Sequence, residues 1–113
     1  MTRIIQTGIT KEILSGDNHP QIQIGEKLYV VDDRKSTYDK LSKIQSDEKL
    51  SAEEKEKQMF ILALGKEAQE EIYSFDLPVD KFDKLTYCIM GAMTGKEPDD
   101  IEKKVNEQLE KNL

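Results

Sequence analysis

"FILALGKEAQEEIYSFDLP", Phe60–Pro78, is the stretch on which the fold of this chain turns. At about 100° per residue, Phe60, Ile61, Leu64, Ala68, Ile72 and Phe75 fall on one stripe of a helix. Leu62 and Tyr73, with Met59 just ahead of the stretch, fall on a second stripe on the opposite side. A helix that is apolar on two sides belongs at the centre of a bundle rather than on its surface. Gly65 inside it costs about 1 kcal/mol relative to alanine, which points to another backbone packed close at that position. Upstream, Ser51 and Glu54 in "SAEE" make a capping box, the hydroxyl accepting from the N3 amide while the carboxylate reaches back to the cap amide. Downstream, Asp76, Leu77 and Pro78 stop the helix, because proline disfavours the α conformation of the residue before it and suits the first turn of the next helix.

Working outward, a helix is expected from Pro78 to Thr94, with Gly95 as its left-handed stop and Phe82, Leu85, Ile89 and Met93 as its core stripe. Subtracting that stripe leaves Tyr87, Cys88 and Met90 as apolar surplus. The last helix starts at Pro98, places Asp99 and Asp100 at the positive end of its dipole, and carries one stripe of Ile101, Val105 and Leu109. Toward the N-terminus, "QIQI" (Gln21–Ile24) and "LYVV" (Leu28–Val31) read as strands joined through Gly25, Glu26 and Lys27. A short helix follows, with Ser36 and Asp39 as its capping pair and Tyr38, Leu41 and Gln45 on one side. Residues 1–20 are punctuated by Gly8, Gly16, Asp17, Asn18 and Pro20 and read as an extended or loosely ordered arm. The expected fold is mostly α (α+β): one domain over 1–113, a small N-terminal β-hairpin (21–31), and a bundle of about four helices (34–112) on which the hairpin leans.

Composition narrows the function. With 36% hydrophobic and 35% charged residues and a mean hydropathy of −0.69, the chain has few apolar residues, so their placement matters more than their number. Seventeen basic against 23 acidic residues give a net charge of −6. That balance argues against nucleic acid as a partner, since affinity for phosphate backbones rests on Lys and Arg displacing counterions. Cys88 is the single cysteine and lies in the most apolar part of the chain, as a small buried thiol in a reducing compartment does. The N-terminal twenty residues lack a continuous apolar run, and no segment approaches the roughly 20 apolar residues that span a bilayer. A soluble, intracellular protein without membrane contact is expected.

No catalytic pattern emerges. "GAMTGKE", Gly91–Glu97, superficially suggests a phosphate loop, but three residues separate its glycines instead of four, and Glu97 stands where the magnesium-binding hydroxyl belongs. A helix C-cap accounts for it better. His19 is the only histidine and has no cysteine near it in sequence, so no zinc set is assembled. Pairing Cys88 with His19 as a nucleophile would need an electropositive, partly open setting, whereas Cys88 sits among Tyr87, Ile89 and Met90. The acidic neighbours Asp32 with Asp33, Glu70 with Glu71, and Asp99 with Asp100 are solvated charges or helix-start residues, since adjacent helical side chains point apart. The expectation is a non-enzyme with no cofactor and no metal.

What remains is contact. Met59, Leu62, Tyr73, Tyr87 and Met90 form the surplus beyond one core stripe per helix, and methionine both fills uneven core gaps and populates surfaces that bind apolar partners of variable shape. Exposed surplus of this kind marks a protein-binding patch. "IQIGEKLYVV", then "YDKLSKIQ", then "ILALGKEAQEEIYSFDLPVDKFDKLTYCIMGAMTGKEPDDIEK" resembles, in order and content, the small tail assembly chaperones of long-tailed bacteriophages. The resemblance covers Ile22–Lys103, is distinctive in "LGKEAQEEI", the "DLP" break and the apolar helix ending in "MTG", and leaves the arm outside it. It implies a mostly helical protein of the bacterial host cytoplasm. Such a protein binds amphipathic helical segments of the aggregation-prone tape measure protein for tail tube assembly, with other tail proteins as further partners. It also implies a longer form made by translational frameshifting. Two other classes stand beside it: an acidic inhibitor of a host DNA-binding enzyme, suggested by the net charge, and a structural tail subunit. The oligomeric state is left open by the sequence.

Overall fold

In the computed structural model, which describes residues 2–16 and 18–111, the chain is mostly helical with one small antiparallel hairpin. In order it forms α1 (Lys11–Ser15), β1 (Gln21–Ile24), β2 (Lys27–Val30), α2 (Lys35–Gln45), α3 (Ala52–Leu64), α4 (Lys66–Ser74), α5 (Val79–Thr94) and α6 (Pro98–Lys111). The mostly α (α+β) class and the hairpin on the helices hold; the helices are six rather than four, for two separate reasons. One is α1, a single turn inside the arm, capped by the Thr10 hydroxyl and ended by the left-handed Gly16. The other is Gly65.

The central helix is broken. Gly65 lies at φ +96° and ψ 157°, a region that side chains essentially exclude, so α3 ends and α4 begins on the same residue. Its N–H still donates to Ile61 at 2.9 Å, and its carbonyl already accepts from Gln69 at 3.0 Å. The close backbone approach expected at Gly65 is absent: a Cβ built there would meet nothing within 4 Å. The glycine is needed for its conformation, and the tight approach belongs to Gly91, where a Cβ would fall 2.6 Å from the Lys96 carbonyl oxygen and 3.4 Å from the Pro98 ring.

The break resets the helical phase, which moves two residues from their expected places. Phe75, assigned to the core stripe, is 45% exposed at the end of α4. Gln69, unremarkable in sequence, is 3% exposed and shares the buried face of α4 with Ile72. The core is otherwise built from one residue or more of each remaining inner element, with Val31, Leu41, Phe60, Ile72 and Ile89 as its fully buried side chains. The expected stripe of α5 is largely kept, since Leu85, Ile89 and Met93 are buried and Phe82 packs against them at the edge.

In the hairpin, Ile24 pairs with Lys27 across a two-residue turn, so β2 starts one residue earlier than the composition suggested. The alternation is clean: Ile22 and Tyr29, cross-strand partners, face the core, while Leu28 and Val30 face out. Glu71 of α4 ties the hairpin down, accepting from Lys27 Nζ at 2.8 and 2.9 Å and from the Tyr29 hydroxyl.

Helix α2 starts differently from expectation. The Ser36–Asp39 capping pair does not form, because Lys35 is already helical and Arg34 is the cap residue. Asp32 organises the entry instead. Its carboxylate accepts from the Arg34 amide at 3.1 Å, from the Arg34 guanidinium at 2.7 and 3.0 Å, and from the Thr37 hydroxyl at 2.9 Å. The Asp32 N–H in turn donates to the Ala63 carbonyl at 2.8 Å, satisfying a carbonyl at the end of α3 that the helix cannot. At α3 the Ser51 hydroxyl does accept from the Glu54 amide, at 3.1 Å. Gly95 ends α5 in the left-handed conformation, as its position in the sequence suggests.

Candidate protein-docking surface

The surplus apolar residues do not converge on one face. Met59 drops out: it is 2% exposed and belongs to the core with Phe60 and Ala63. It was assigned to an outer stripe, but on α3 the buried arc takes in both Met59 and Phe60, because α2 packs along this helix as well as α4. Tyr73 is half-buried in an aromatic trio. Phe60 and Phe82 stack with centroids 5.2 Å apart and planes 9° from parallel, and Tyr73 meets both edge-on at 5.4 and 5.6 Å. Its hydroxyl oxygen is buried without a hydrogen-bond partner, and burial, helped by the Glu56 and Glu54 carboxylates, pushes its pKa up to about 12. Tyr73 therefore joins α3, α4 and α5 and presents little surface to a partner.

Tyr87 is also half-buried. Burial raises its phenol pKa, with the charges of Asp83 on α5 and Glu102 on α6 adding to the shift. Cys88 beside it is half-buried, and burial followed by Asp99 pushes its thiol up, so the thiolate a nucleophile requires is disfavoured.

Met90 and Leu62 do reach open grooves, but different ones. Met90 closes one end of a shallow groove of about 330 Å³ whose other wall is α2, through Tyr38, Leu41, Ser42, Gln45 and Ser46. Tyr38 is 42% exposed there, although its spacing put it with Leu41 on the inner side of α2. Leu62 borders a larger open groove of about 1000 Å³, with Ile61 and Leu64 of α3, Val30 of β2, and Ile13 and Leu14 of α1. Asp32, Asp33, Arg34 and His19 give this groove a polar rim, and His19 Nδ1 pairs with Asp33 at 2.8 Å.

Tyr38, Val30 and Leu28 are thus surface residues that the sequence reading passed over. Strand alternation carries the signal for two of them, because burying Tyr29 obliges Leu28 and Val30 to face out. Nothing comparable marks Tyr38. Among the described residues, no group of three or more His, Cys, Asp or Glu side chains is placed to hold a metal ion, and no helix is long and apolar enough to cross a membrane. Searches against models of protein families, curated proteins and solved structures matched none of them.

Proposed function

We propose that this chain is a tail assembly chaperone of a long-tailed bacteriophage, acting in the host cytoplasm to hold the tape measure protein soluble until the tail tube forms around it. Two things support the reading: the sequence resemblance over Ile22–Lys103, and the α2–α5 groove, which is the observation that carries the contact. Within it Met90, partly buried, lies beside the core stripe of α5, whose Leu85, Ile89 and Met93 are buried. An amphipathic client helix lays apolar anchors at i, i+3 or i+4 and i+7 into such a groove, and the flexible thioether of Met90 adapts to anchors of different shape. Tyr38 supplies a rigid aromatic wall opposite. The net charge of −6 keeps a loaded complex soluble and favours a basic client. Other tail proteins carrying similar helices are further partners in this reading.

Co-expression with the tape measure protein of the same phage is the test. The wild-type chain raises the soluble fraction of the client and co-purifies with it, and Met90→Asp, which puts a charge into the groove, lowers co-purification by about tenfold or more, the equivalent of 1.4 kcal/mol. A client that stays insoluble beside the folded wild-type chain overturns the reading, and a complex that persists at high salt and tolerates Met90→Asp moves the contact to another face.

A further inference from the structure

The N-terminal arm is apolar and touches little of its own body. Ile4, Ile5, Ile9, Ile13 and Leu14 are between 55% and 79% exposed. The hydrogen bonds of the arm are local, from the Ile9 amide to Thr7, from the Ile13 amide to Thr10 and from Ser15 to Glu12. Among the described residues, polar contacts fasten the arm to the body where it leaves, by the His19–Asp33 pair and by the Val31 amide donating to the Pro20 carbonyl at 2.9 Å. A radius of gyration of 16.3 Å and a longest dimension of 57 Å exceed what a compact chain of this length needs, for which about 13 Å is usual.

Beside the root of the arm lies the larger groove, and next to it the hairpin. In an antiparallel pair closed at Ile24 and Lys27, the amides and carbonyls of Leu28 and Val30 point away from β1. This edge of the two-stranded sheet has no partner strand among the described residues, and its Leu28 and Val30 side chains are more than half exposed. Residues 2–10 of the arm read TRIIQTGIT and form no helix or strand of their own; up to the bend at Gly8, φ +79°, residues 2–7 are rich in β-branched residues and free of proline, which suits them to be a strand. Supply and demand for one strand are therefore present in the same molecule.

We infer that the arm of one copy docks on a second copy, residues 2–7 pairing along the free edge of β2 and the Ile4 and Ile5 side chains covering Leu28, Val30, Ile61 and Leu62. A second copy fits better than the chain's own groove. To lie along its own β2 the chain would have to turn back at Thr10, where it instead caps α1, and α1 already occupies the rim of that groove. Charge agrees: residues 2–7 carry Arg3 alone, a net of +1, which leaves −7 of the overall −6 on the rest of the chain. Reciprocal exchange brings an arm and a groove from each copy, so the contact is made twice about a two-fold axis. The contact uses neither Met90 nor Tyr38, so it stands apart from client binding.

Sedimentation equilibrium of the purified full-length chain, without any client, tests it. Ile4→Asp/Ile5→Asp alters the arm and Leu28→Lys/Val30→Lys alters the groove, and all four positions are exposed, so far-ultraviolet circular dichroism should report an unchanged fold. The wild type self-associates at micromolar concentration. Each double variant alone is a monomer, with association weakened at least about tenfold. Mixed together they form a heterodimer, because one intact arm meets one intact groove. A monomeric wild type, self-association that survives either double variant, or a mixture that stays monomeric overturns the proposal. Failure of the co-expression test leaves this result untouched, and the reverse also holds.

Discussion

At the α3–α4 junction Gly65 sits in open space with a backbone conformation closed to other residues, whereas at the α5–α6 junction Gly91 is ordinary helix with no room for a side chain. The same residue type solves two different problems. At the first, the chain must change direction between two helices that both belong to the core, and only the missing Cβ allows the required φ and ψ. At the second, the helix continues past the glycine, and the returning Lys96–Pro98 segment folds against it. The first junction stores its requirement in torsion angles and the second in packing, so their failures should differ in size and in kind.

Gly65→Ala should have the larger effect. The residue must either hold a conformation that costs about 3 kcal/mol or revert to helix, which would fuse α3 with α4 and remove the change of direction that brings α4 onto the core. Urea unfolding followed by circular dichroism should report a loss of about that size, and a rise in helix content would identify fusion as the route. An unchanged midpoint would mean that the α3–α4 break does not depend on this conformation. Gly91→Ala should cost less, about 1–2 kcal/mol, because overpacking against the Lys96 carbonyl is offset in part by alanine's better helix propensity. Its signature is local: amide exchange should quicken at Lys96–Ile101 while α3 and α4 keep their protection.

The first junction also depends on Asp32, whose N–H caps Ala63 and whose carboxylate organises the start of α2. The Arg34 guanidinium, with the Arg34 amide and the Thr37 hydroxyl, holds its carboxyl well below the usual carboxylate range despite opposing burial. A carboxyl with a folded pKa below its unfolded value of about 3.9 stabilises the fold above that pH and loses the contribution as pH falls toward the folded value. The wild type should therefore exceed Asp32→Asn in urea midpoint at pH 6, and the gap should narrow below about pH 4. The absence of a gap at every pH would assign the role of Asp32 to its backbone amide alone, which Asp32→Asn retains.

These cases show which parts of the molecule can be read from its sequence. The α5 stripe and the hairpin follow from periodicity, since Leu85, Ile89 and Met93 answer to the helical repeat and Ile22 and Tyr29 to the strand repeat. Gly65 was visible as an anomaly, but a glycine in a helical pattern signals either space or torsion, and only the three-dimensional path separates them. Once the phase was carried through Gly65 as though the helix were continuous, Phe75 was misplaced and Gln69 missed. The exposure of the surplus apolar residues was half legible for a related reason. Counting stripes finds surplus apolar surface without saying which neighbour absorbs it: Met59 goes into the core and Tyr73 onto the rings of Phe60 and Phe82, while Met90 and Leu62 border open grooves.

The angle set at Gly65 is held across the break by the ring of Tyr73, which spans from α4 to Phe60 on α3 and Phe82 on α5. Its hydroxyl contributes nothing favourable, being buried with no hydrogen-bond partner and close to the Glu54 and Glu56 carboxylates. Tyr73→Phe keeps the edge-on packing and removes a polar group whose desolvation is uncompensated, so it should raise stability slightly, by about 1 kcal/mol or less. Tyr73→Leu, which removes the ring, should instead lower it, because aromatic pairs of this geometry contribute about 0.5–1.5 kcal/mol beyond the area they bury. The sign of the first substitution is the informative measurement: a loss on Tyr73→Phe would reveal a partner for the hydroxyl, and the junction would then be held by a polar contact as well as by torsion.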